Sequence, residues 1–199
     1  MDLEQALSQI ADIRHQMTRT RIFRGFRATT TLGTGIVAIL AAFWQAWEIP
    51  DPASHPLRFV ELWTGLAVAC MALVGIELFL RHRDSDSSLQ RDLTLPTVGQ
   101  FLPAIVAGAL VTAVLCLFAP ANLWLLPGLW QMFYGLAIIA SRRLLPGWCG
   151  AVGAFYILGG VVDLATAASG SPFSPWSMGI PFGVGQASAA LVLRQRGGF

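Results

Sequence analysis

FVELWTGLAVACMALVGIELFL, residues Phe59–Leu80, decides the class of fold. Its acidic side chains, Glu61 and Glu77, stand near its two ends, and everything between them is apolar or small. At about 1.5 Å of rise per helical residue, the stretch is long enough to cross a hydrocarbon core of about 30 Å. Arg58 precedes it and Arg81-His82-Arg83 closes it. A segment of this kind folds in lipid.

Working outward, the same pattern recurs at Ala28–Trp47, Val98–Phe118, Leu123–Ser141, Trp148–Ala168 and Trp176–Leu193. The turn Ala119-Pro120-Ala121-Asn122 separates the third and fourth segments, Pro146-Gly147 the next two, and Ser169-Gly170-Ser171-Pro172 the last two. The charged, serine-rich link His82–Thr97 reads as a solvated loop. The chain is 55% hydrophobic and 12% charged, where a soluble domain carries about 25% charge. The expected fold is all-α. Six transmembrane helices form a polytopic bundle over residues 28–193, with a tail at 194–199. An amphipathic cytoplasmic helix over residues 1–27 precedes the bundle. That helix is read from Leu3, Ala6, Ile10, Ile13 and Met17, which share one face at helical spacing. It has no apolar core of signal-peptide type, so a cleavable leader is not expected.

Arginine sets the orientation. The chain has no lysine, so all 13 basic residues other than histidine are arginine. With the N-terminus inside, six crossings put Arg14, Arg19, Arg21, Arg24, Arg27, Arg81, Arg83, Arg91, Arg142, Arg143, Arg194 and Arg196 on one side and Arg58 alone on the other. Trp44, Trp47, Trp63, Trp124 and Trp176 then gather toward the outer interface, where indoles prefer to sit. Both termini are expected in the cytoplasm and the protein in a cell (inner) membrane. Arg19, Arg21, Arg24 and Arg27 are the expected contacts to lipid phosphate. A protein partner, or a second copy, would use residues 2–27. Nucleic acid is not expected, since the net charge is only +2 and lipid phosphate accounts for the clustered arginine equally well.

An order of matches suggests a 3+3 inverted repeat. Trp44-Gln45 answers Trp130-Gln131. Trp63, Gly65 and Gly75 answer Trp148, Gly150 and Gly160. Leu102-Pro103 answers Ile180-Pro181. Three spans per copy would give the copies opposite topology, the plan of many secondary transporters. Ionisable groups inside spans are functional candidates by default. Asp163 leads, because no arginine stands within helical reach of it. Glu77 follows, with Arg81 at i+4 as its expected partner, and Gln131 is placed near the path. Gln45, Gln100, Gln131 and Gln186 suit bonds between helices. Glu48, Asp51, His55, Glu61 and Asp163 would form an outer cation site if they converged. Pro103, Pro127 and Pro181 are expected to kink or break their helices, Pro181 above all.

Several chemistries are excluded. His15, His55 and His82 lie outside the spans, so a bis-histidine haem within the membrane cannot be built. Without lysine there is no Schiff base and no P-loop, and neither H-E-x-x-H nor G-x-S-x-G occurs. Cys70, Cys116 and Cys149 read as apolar core residues. No catalytic site, cofactor or metal is expected. The segments DLEQALSQIADIRHQM, FRGFRA, QFLPAIVAGALVTAVL and LWLLPGLWQ resemble a group of uncharacterised bacterial multi-pass membrane proteins. The resemblance runs over most of the chain and implies the six-span fold but no activity. Two functions stand. One is a small-solute or proton-coupled carrier that uses Asp163. The other is a membrane-anchored sensor or interaction protein that acts through residues 2–27.

Overall fold

The computed structural model describes residues 27–49, 51–84, 88–143, 148–167, 170 and 172–196. The expected amphipathic helix, with Arg19, Arg21 and Arg24, lies outside these, and only its last residue, Arg27, is among them. The described chain is helical: α1 (Ala28–Glu48), α2 (Pro56–Asp84), α3 (Ser88–Phe118), α4 (Leu126–Ala140), α5 (Cys149–Ala167) and α6 (Pro175–Arg196). A 3-10 segment, Pro120–Leu125, leads into α4. Six helices are each long and apolar enough to cross a membrane. The burial pattern suits that solvent. Gln45 and Gln131 are 0% exposed, while Leu110 is 61% and Phe118 80% exposed. Water would reverse those positions.

Two helix pairs form the framework. α1 lies along α6, and α4 lies along α5. Small residues let the backbones meet. At α1–α6, a Cβ on Gly179 would stand 2.5 Å from Ala42 Cβ, and one on Gly35 would stand 2.8 Å from Gln186 Cβ. At α4–α5, a Cβ on Gly135 would stand 2.5 Å from the Gly153 carbonyl oxygen. α3 packs on α4, and α2 touches its neighbours lightly. Phe59, Val60 and Trp63 of α2 still join Ala42, Leu123, Leu126, Phe173 and Met178 in the larger apolar cluster. A second cluster joins Ile138, Cys149, Val152 and Tyr156.

The helices overrun the apolar segments that reveal them. α2 continues to Asp84 and α3 begins at Ser88, so most of the link read as a solvated loop is helix. Hydropathy marks where lipid ends, whereas a helix ends where its hydrogen bonding does. None of the three prolines breaks its helix. Pro127 lies in the first turn of α4, where a missing N–H breaks no bond. Pro103 and Pro181 lie inside helices that run through them, α3 and α6. No discontinuous helix forms at Pro181, where a neighbouring side chain bonds the carbonyl that the proline leaves free.

Candidate functional site

Pro181 has no N–H, so it cannot donate to the carbonyl four residues earlier, which is that of Ser177. Gln131 of α4 supplies the bond. Its Nε2 donates to the Ser177 oxygen at 3.0 Å and to Asp163 Oδ2 of α5 at 3.1 Å. One amide thus ties α4 to α5 and α6. Both acceptors are oxygens that only accept when Asp163 is ionised, which fixes the side chain's orientation. The two hydrogens of Nε2 are then both in use. Gln131 Oε1 is buried and has no hydrogen-bond partner among the described residues. It lies against Gly159, where an added Cβ would stand 2.9 Å from it. Asp163 itself is half-buried. The sequence candidates Asp163 and Gln131 are therefore brought together.

Gln45 makes a second bracket. Its Nε2 donates to the Phe173 carbonyl at 3.0 Å, and its Oε1 accepts from Trp63 Nε1 at 2.7 Å. Phe173 lies two residues before α6 begins, so both glutamines grip carbonyls at the start of that helix. Thr112 of α3 adds a third polar link. It accepts from Trp130 Nε1 at 2.9 Å while donating to the Gly108 carbonyl at 2.7 Å.

Glu77 is not part of this site. It is half-buried and pairs with Arg27, Nε to Oε1 at 3.6 Å, which joins the start of α1 to the far part of α2. Arg27, Arg83, Arg142 and Arg194 are exposed at helix ends. Among the described residues, no three His, Cys, Asp or Glu side chains are grouped to hold a metal ion. Glu48, Asp51, His55, Glu61 and Asp163 therefore do not converge into a cation site. Asp51 has a local role. The Ser54 hydroxyl donates to its carboxylate, and that bond holds the carboxyl below its usual range.

Sequence reasoning missed one cluster. Tyr134, Tyr156 and Phe182 interlock, with the tyrosine rings edge to face at 4.9 Å. Gln186 Nε2 donates to the Tyr134 hydroxyl at 2.8 Å. The Tyr156 ring is 0% exposed and lies against Gly185, where any Cβ would collide with it. The available signal was position. The chain's 2 tyrosines both fall mid-span, away from the interface where tyrosine usually sits.

No family model, curated protein or solved structure matches the chain. Six long apolar helices make it a multi-pass membrane protein, and no family is identified.

Proposed function

We propose that this protein is a small-solute or proton-coupled carrier in which Asp163 is the coupling acid. The observation that carries the reading is the hydrogen-bonded connection from an intramembrane carboxyl, through Gln131, to the carbonyl beside Pro181. A group that changes charge is thereby joined to the weakest point of a helix. Proton-coupled carriers require a carboxyl that exchanges its proton and a mobile element that responds. Gln45 and Gln131, which a 3+3 repeat would match, are both fully buried, but both donate to carbonyls at the start of α6, where copies related by a two-fold axis would bind equivalent helices, so the repeat adds no support to this reading.

The test uses purified protein in vesicles loaded with a pH dye, under an imposed pH gradient, with small neutral and anionic solutes screened outside. Solute-dependent proton flux is expected, and Asp163→Asn should abolish it. Equal flux from the variant removes Asp163 from the mechanism. In this reading the arginine-bearing ends face the cytoplasm. A cysteine replacing Ser54 should then react with an impermeant maleimide added outside intact cells, while one replacing Arg142 should not. The opposite pattern inverts the topology.

The Arg27–Glu77 pair favours a second reading. It would tie an N-terminal sensing segment over residues 2–27 to α2. Deleting residues 2–26 should then abolish capture of a partner while the bundle still inserts. Retained capture defeats this alternative.

A further inference from the structure

The contacts of Gln131 go beyond holding helices together. We infer that Gln131 and Pro181 form a hinge in α6 whose freedom is set by the proton on Asp163. The inference rests on the carrier reading in one respect, that Asp163 is the group that gains and loses a proton.

With Asp163 ionised, its Oδ2 accepts from Gln131 Nε2, and the second hydrogen of that nitrogen reaches the Ser177 oxygen. The Ser177 carbonyl is satisfied although Pro181 offers it nothing. Protonation turns the carboxyl into a donor that needs an acceptor. The buried, unpartnered acceptor beside it is Oε1 of the same amide. Turning Oε1 toward Asp163 takes Nε2 away from Ser177. The carbonyl then loses its bond, and the first turns of α6 are no longer fixed to α4. Gln131 is a positioning residue in this scheme. It carries the state of one helix to another without exchanging a proton.

Little else competes for Asp163. From α4 the only titratable side chain is Tyr134, and the 3-10 segment Pro120–Leu125 has none. α6 carries its charges, Arg194 and Arg196, at its other end, and α5 adds only Cys149 and Tyr156. Closer to the hinge, Gly179 and Gly183 on either side of Pro181 pack on Ala42 and Ile39 of α1.

Hydrogen–deuterium exchange of the full chain in lipid nanodiscs tests the hinge, reading the peptide that covers residues 173–182. Measurements at about pH 8 and about pH 3, corrected for intrinsic amide rates, bracket the protonation even of an ordinary aspartate. Wild type is expected to lose up to about tenfold of its protection in acid, the upper end of what one neutral amide–carbonyl bond contributes. Pro181→Ala restores an N–H for the Ser177 carbonyl and should stay protected at both pH values. Asp163→Asn keeps an acceptor for Nε2 and should be insensitive to pH. Gln131→Leu should exchange fast at both. If Gln131→Leu fails to fold, the other two variants still decide the matter. Wild-type protection that ignores pH, or a Pro181→Ala protein that keeps the wild-type response, overturns the hinge. Flux that still depends on Asp163 in that case leaves the carrier reading standing. A working hinge without flux does the reverse.

Discussion

Gly160→Ala is expected to separate α4 from α5 and cost about 1–3 kcal/mol of stability, the usual range for overpacking a tight contact. The added methyl would stand 2.5 Å from the Gly128 carbonyl oxygen, 2.7 Å from Met132 Cγ and 3.1 Å from Met132 N. The nearest atom is main chain, so no rotamer change relieves the clash, and the helix axes must part. The reverse contacts are as close, with a Cβ on Gly128 reaching the Gly160 oxygen at 2.7 Å. Separation would also stretch the Gln131–Asp163 bond, which crosses the same interface. Gly150→Ala is the control. It lies on α5 with nothing among the described residues within 4 Å of an added Cβ, so a change within about 0.5 kcal/mol is expected. Unfolding in mixed detergent, followed by circular dichroism, reads both. Equal midpoints for the two variants would refute the close-contact account.

The contrast between those glycines shows what a single sequence reveals. Span number follows directly from apolar runs such as Phe59–Leu80, because a bilayer imposes one length on every crossing. Asp163 is equally visible, since an acid within an apolar run has few explanations. The packing partner of each helix is not visible. Gly150 and Gly160 look alike in sequence, and only three-dimensional pairing decides that one faces a backbone and the other open space. Pro181 shows the same limit. The sequence shows that Pro181 frees a carbonyl, but Gln131, which binds it, is 50 residues away in a different helix. Glu77 pairs with Arg27, the residue before α1, a partner that spacing along α2 could not name. Local spacing proposes partners along one helix, and a bundle supplies others across its interior.

Gln45→Leu carries the other large expected effect, a loss of about 3 kcal/mol. The substitution nearly keeps the volume, so packing changes little and the loss is polar. Two groups are affected. Trp63 Nε1 loses its acceptor and the Phe173 carbonyl loses its donor. Hydrogen bonds between membrane helices average only about 0.6 kcal/mol, because the unfolded state in lipid also finds partners. That average would give a loss of about 1 kcal/mol. The larger figure is expected here because Trp63 is 4% and Phe173 6% exposed, too little for water to replace the bonds. Leaving a buried polar group unmatched costs about 1–3 kcal/mol. Trp63→Phe in the Gln45→Leu background removes one of the stranded groups, so the double variant should lose less than the sum of the two single losses. Additive losses would mean the two side chains do not act as a unit. The same unfolding assay applied to Gln186→Leu, which strands only the Tyr134 hydroxyl, should show about a third of the loss. Gln45 and Gln131 hold two carbonyls four residues apart at the start of α6, that of Phe173 before its first turn and that of Ser177, which Pro181 leaves free. Among the described residues Gln45 bonds a carbonyl and an indole and no carboxyl, so its grip should persist at all pH values while that of Gln131 yields to acid. The start of α6 would then swing about the Phe173 end rather than detach.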